Sequence, residues 1–158
     1  MRALRLEAIT PEAFSAYGDL LIAPPPGAPR VEFEKELVNL RSMAKARLSL
    51  ATIDPVRLPL RVVQMERHAF SSQAFVPLNG SAYLVLVATN NCNDQPDLST
   101  LRAFRVPIHT GINYRERVWH HPMIAIDAVA SFAVWMFTDG TSDDEQFVPL
   151  PEPVTISR

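Results

Sequence analysis

One cysteine, Cys92, is all the thiol chemistry this chain of 158 residues contains. An internal disulfide and any multi-cysteine metal site are excluded at once, and a lone thiol fits a reducing compartment. Positive charge is not in excess either: 15 lysines and arginines against 17 aspartates and glutamates leave a formal net charge of -2. A nucleic-acid partner requires a basic footprint that neutralises phosphates, so that class is set aside. Nor is any apolar run long enough to span a membrane. The longest, MIAIDAVASFAVWMF over 123–137, is interrupted by Asp127 and Ser131 and falls short of the roughly 20 residues a spanning helix needs. The opening MRALRLEAITPEAF lacks the apolar centre of a secretion signal and carries Glu7 where one would continue. These absences predict a cytoplasmic protein with no membrane and no nucleic-acid partner. Internal repeats, low-complexity tracts and linkers are lacking too, so residues 1–158 form one domain, long enough to bury roughly two-thirds of the unfolded surface.

What remains is mostly strand. Thr10 can cap a short N-terminal helix in ITPEAFSAYGD, with Pro11 at its first position and Gly18 as its stop. Ala23–Arg30, APPPGAPR, is a loop. Short β-branched or aromatic runs then recur between turn signals at 48–53, 60–68, 73–78, 81–89, 100–106, 124–129 and 132–137, which predicts an all-β antiparallel sandwich or barrel. The segment 31–47 suits a helix or an exposed edge strand equally.

Chemistry concentrates in MERHAFSSQAFVPLNG. On a strand over 60–68, Glu66 and His68 share one face and Arg67 takes the other. Gln73 follows His68 after four residues, and Gly80 follows Gln73 after six. A carboxylate, an imidazole and an amide oxygen at the mouth of a small barrel can hold a divalent ion, and an imidazole from a distant strand would complete four protein ligands. Only four histidines exist, at 68, 109, 120 and 121. In VWHHP the adjacent His120 and His121 must diverge if the strand is regular, so only one can join Glu66 and His68.

The spacing Glu-x-His-x4-Gln-x6-Gly is similar to the first motif of the cupins, with Glu66 in the place of a histidine and Gln73 in that of a glutamate. Their second motif ends in one histidine about fifty residues later, where His120 stands. Leu60, Arg115 and Arg117 occupy places where those motifs carry glycine or proline. AFSAYGDLL, ERH…SSQAFVPLNG, PDLSTLRAF and GINYRERVWHHP together, in order, resemble the ureidoglycolate lyase family, formerly called ureidoglycolate hydrolase.

The resemblance implies a cupin-type double-stranded β-helix, a homodimer, and the conversion of ureidoglycolate to glyoxylate and urea in allantoin and purine breakdown. It implies Glu66, His68 and His120 as catalytic residues, and Glu66, His68, Gln73 and His120 as ligands of a divalent metal. Nickel is favoured over zinc or manganese, and no organic cofactor is expected. Glu66 can be ligand or base, and a metal-free site working through hydrogen bonds is the alternative. Gln73 and Arg102 are the substrate-binding candidates. An inward Arg102 on the strand of Phe104 and Val106 needs an anion, either the substrate carboxylate or a salt bridge at the barrel rim. His121 is expected to support its neighbour, and Trp119 to face away from the cavity. Tyr114 reads as a core aromatic, Arg115, Glu116 and Arg117 as a solvated turn, and neither His109 nor Cys92 has an assigned role. Two rival classes stand beside the lyase: a non-catalytic small-molecule-binding cupin, and a cupin isomerase or dioxygenase acting on another small acid.

Overall fold

A computed structural model of the chain describes residues 2–158. Its elements are β1 (Arg2–Arg5), β2 (Glu7–Ala8), α1 (Pro11–Phe14), β3 (Gly18–Ile22), β4 (Lys45–Ile53), β5 (Pro55–Val56), β6 (Leu60–Arg67), β7 (Gln73–Asn79), β8 (Tyr83–Ala88), β9 (Arg102–Val106), β10 (Thr110–Tyr114), β11 (Trp119–His120), β12 (Ile124–Ile126), β13 (Ala130–Thr138) and β14 (Gln146–Ser157). The architecture is all-β and barrel-like, as a cupin-type chain with one short N-terminal helix should be.

Nine strands form one sheet in the order β1-β14-β6-β11-β8-β12-β5, with β9 on the opposite edge of β8 and β2 on β9. Only Leu6 separates β1 from β2, so the N-terminal segment pairs with β14 at one end and β9 at the other. That bridge closes the sheet into a ring. Inside it lie Val62, Met65, Leu84, Leu86, Trp119, Val154 and Ile156. The second sheet, β3-β10-β7-β13-β4, packs on the outer face of the ring through Phe75, Ile112, Tyr114 and Phe132, which meet Tyr83, Val85, Val87 and Phe104. β8 therefore has a core on each face and is buried at all six positions, which is why YLVLVA reads as an unbroken apolar run.

Several elements depart from the sequence reading for local reasons. α1 is a single turn, capped by the Thr10 hydroxyl, which accepts from the Ala13 amide at 3.1 Å. Gly18 does not stop it; it opens β3 opposite Tyr114, where a Cβ would lie 1.9 Å from the Asn113 carbonyl oxygen. The ambiguous 31–47 divides into an irregular segment and the start of β4. That segment is pinned beside the end of β6, since the Leu40 amide donates to Phe70 O and the Ser72 amide to Val38 O. β14 was hidden by Pro149, Pro151 and Pro153, which fall where its pairing with β6 shifts register between Pro149 and Val154; a break in the ladder tolerates missing amide donors.

Candidate active site

His120 is the cross-strand partner of Glu66 on β6 and of Val87 on β8. Partners in register present their side chains to one face, so Glu66 and His120 stand together. His68, one residue beyond β6 and two from Glu66, joins them. One ligand atom from each of the three lies within 4.8 Å of the others, and all three residues are buried. The intervening Arg67 and Trp119 take the opposite face, where the guanidinium stands 4.4 Å over the indole.

Backbone carbonyls set the tautomers. His68 Nδ1 donates to Asp144 O at 2.7 Å, and His120 Nδ1 to Val118 O at 3.0 Å. A carbonyl only accepts, so each ring carries a proton on Nδ1, and His68, neutral at ordinary pH, keeps its lone pair on Nε2. Both Nε2 atoms and Gln73 Oε1 are buried with no hydrogen-bond partner among the described residues. His120 Nε2 faces Glu66 Oε1 at 3.4 Å. That separation is also the one that two donors take when bound at about 2.1 Å to a tetrahedral ion, which leaves them about 3.4 Å apart. Glu66, His68 and His120 thus form a group that can hold a metal ion.

The protonation states suit that task. Burial pushes His68 down to about 4, with the charge of His120 adding to it, against the opposing influence of the Asp144 carbonyl, Glu66 and Gln73. Burial alone would raise the Glu66 carboxyl, but contact with His120 and the charges of His120, His68 and His121 outweigh it and hold the group below its ordinary value. At neutral pH the carboxylate is ionised and His68 is neutral, as metal ligation demands.

Gln73 opens β7 between Met136 and Tyr114, and its amide lies close enough to His68 to act on it. Tyr114 itself stacks on His120 with ring centroids 4.2 Å apart and planes 16° from parallel. The sequence marked it as a core residue, and nothing local distinguishes a core aromatic from one that backs an imidazole. A second contributor missed was the 139–145 turn. The Asp144 carboxylate accepts from the Asp139 and Gly140 amides at 3.0 and 2.8 Å and from Arg41 at 2.5 Å, so Arg41 secures the turn whose carbonyl orients His68.

Arg102 is not brought into the cluster. It pairs in register with Val87, which puts it on the His120 face, roughly 10 Å away across two strand spacings. Its guanidinium, however, ion-pairs with both oxygens of Glu7, donates to Ala13 O at 3.0 Å and lies 4.7 Å over Phe104. The anion beside Arg102 in this structure is the Glu7 carboxylate of β2, the rim salt bridge that stood beside substrate binding as the sequence's other option. His121 is absent from the converging group; its Nδ1 donates to Pro122 O at 2.8 Å. His109 lines a separate surface cleft with Val31 and Phe33, and Cys92 is exposed. The 115–117 turn is tied down, with Arg117 on Asp94 and Arg115 on Asp19.

A cavity of about 420 Å³ opens over His68 between Met136, Phe147 and the 140–145 turn. The model of the ureidoglycolate lyase family matches residues 1–157. Ureidoglycolate lyases of Escherichia coli and of Shigella boydii serotype 18 are each 35 % identical to it over 156 residues, which is 94 % of this chain and 95 % of theirs. A match along the whole chain, on a barrel that gathers two imidazoles and a carboxylate, settles the kinship: the chain belongs to the ureidoglycolate lyase family.

Proposed function

We propose that this chain cleaves ureidoglycolate to glyoxylate and urea, the carbon–nitrogen lyase step of allantoin and purine breakdown. The observation that carries the reading is the convergence of Glu66, His68 and His120 in a member of that family, with His68 lining an open cavity. The substrate is a hemiaminal. Its hydroxyl loses a proton, the oxygen's electron pair forms the glyoxylate carbonyl, the C–N bond breaks, and the urea nitrogen gains a proton. Atoms balance without water, so the reaction is an elimination and not a hydrolysis.

Glu66, ionised beside His68 and His120, takes the hydroxyl proton, a contribution worth roughly 10²–10⁴-fold. His68 and His120, each with its Nδ1 proton held by Asp144 O or Val118 O, each bring a ring nitrogen within 4.8 Å of the Glu66 carboxylate. Gln73 adds an amide oxygen. These four residues would hold a divalent cation, which when bound stabilises charge developing on the hydroxyl oxygen. The mixed nitrogen and oxygen donors suit nickel, zinc or manganese, and nickel is the ion proposed, following the family resemblance. Arg102 is assigned to the rim, where it holds β2 through Glu7.

The protein is further proposed to be a cytoplasmic homodimer. The support is β4, nine residues paired on one edge only, by β13, with Leu48 and Leu50 61 % and 72 % exposed; a long, apolar open edge is a pairing surface. Light scattering should give about twice 17.6 kDa, and a single-chain mass at micromolar concentration would refute the dimer. The lyase reading is tested by incubating the metal-loaded protein with racemic ureidoglycolate. Glyoxylate should appear together with intact urea. Ammonia released in step with glyoxylate, and no urea, would identify an amidohydrolase instead.

A further inference from the structure

The substrate of the proposed reaction carries a carboxylate, and Arg102, the arginine that the sequence offered to it, is taken by Glu7. A small anion entering a half-buried cavity needs a cation with free donors. The other cavity-facing rows of the barrel locate one. Arg47 on β4 pairs in register with Met136 on β13, Met136 with Gln73 on β7, and Gln73 with Tyr114 on β10. Four residues in one row of a sheet share one face, so Arg47 stands on the same face as the amide beside His68 and the ring that stacks on His120.

Contacts agree with the register. Arg47 Nη2 lies 3.4 Å from Met136 Sδ, and Gln73 Nε2 lies 3.6 Å from the same sulfur. Arg47 and His68 both line the 420 Å³ cavity. The acidic groups there do not claim it. Asp144 is occupied by Arg41 and by two backbone amides, and Arg47 forms no ion pair among the described residues, Glu145 included. Three other arginines with exposed heads are paired, Arg115 with Asp19, Arg117 with Asp94 and Arg105 with Asp127, and Arg47 is the arginine that lines this cavity.

We infer that Arg47 is the anchor for the substrate's carboxylate, an assignment that rests on the ureidoglycolate reading and names the group that recognises its acid end. The planar guanidinium offers two parallel donors to a carboxylate. Gripped there, the substrate's acid end lies over Met136 and its carbinol carbon extends toward Glu66 and His68. A neutral ligand of the same shape gains nothing from Arg47. The site therefore selects 2-hydroxy acids over their amides.

Arg47 is exposed on an edge strand, so its removal leaves no buried partner stranded. Arg47→Met should raise KM for ureidoglycolate about 10- to 100-fold, the value of a charged hydrogen bond, with kcat changed far less and the melting temperature retained. Arg47→Lys should fall between. Glycolate and its neutral amide, glycolamide, are the probes, with affinities measured by calorimetry on the metal-loaded protein. Glycolate should weaken in Arg47→Met by the same factor as KM, and glycolamide should bind the two proteins alike. Wild-type KM and wild-type glycolate affinity in Arg47→Met would overturn the assignment. Absence of glyoxylate production by the unmutated protein would sink the lyase reading instead, and the glycolate comparison would still decide Arg47.

Discussion

Alternation along β11 puts Trp119 among the side chains inside the ring and His120 on the face of Glu66, and His121 follows where the strand ends. His120→Ala is expected to remove bound metal and activity together, since it deletes the Nε2 that faces Glu66. His121→Ala should keep most of the metal and measurable turnover. Metal content and kcat/KM for the two variants side by side check this, and the reverse order would overturn the face assignment. His68 makes a second statement, about pH. It stays neutral in the fold down to about 4 but has an ordinary value of 6.5. Between those values the unfolded chain binds more protons, so stability rises with pH there. It is complete above about 6.5 and declines as pH falls toward 4. His121, lowered chiefly by burial, and Glu66 act in the same sense. Urea midpoints of the metal-free protein should fall steadily across that window, whereas a flat profile would contradict the burial of a neutral His68. At Arg102 the expected result is an unchanged KM in Arg102→Lys, because Glu7 and Ala13 are what it touches; a large rise would return it to the substrate.

Among the elements, the 139–145 turn has the most specific consequence for the site. Arg41→Ala would free the Asp144 carboxylate, loosen the carbonyl that orients His68, and lower kcat/KM by about tenfold, the usual effect of removing a group behind a ligand. Faster amide exchange confined to 139–145 would accompany it; uniform exchange over the whole chain would mean unfolding instead. Gly18→Ala drives a methyl into the Asn113 carbonyl and should cost about 3 kcal/mol, read from the denaturation midpoint. These elements also mark where the sequence was readable. Glu66 and His68 could be put on one face because alternation is a local rule, His120 was chosen over His121 by the family's motif spacing, and the strands around β8 were readable because β-branched runs announce themselves. β14 could not, since its three prolines contradict a strand until the register break is seen. The partner of Arg102 is 95 residues distant, at Glu7, and no spacing rule reaches that far. Arg47 was obscured for another reason: charges at Lys45 and Arg47 mark an exposed edge strand and a helix equally well until Met136 and Gln73 are placed beside them.

At the scale of the whole molecule, the two sheets divide the labour. The ring interior is filled mostly with aliphatic side chains around Trp119, while the space between ring and second sheet grades from an aromatic cluster under α1 to the polar end that holds the site. Closure of that ring depends on residues 2–5 lying parallel to residues 154–157. During synthesis, then, the first strand emerges into solution without a partner and must wait while some 150 further residues are translated, at roughly 5–20 residues per second. For several seconds its amides and Leu4 are open to chaperones, to proteases and to neighbouring nascent chains. Once complete, the barrel must find its most distant contact before it is watertight, and a topology of that contact order folds slowly, in the millisecond-to-second range.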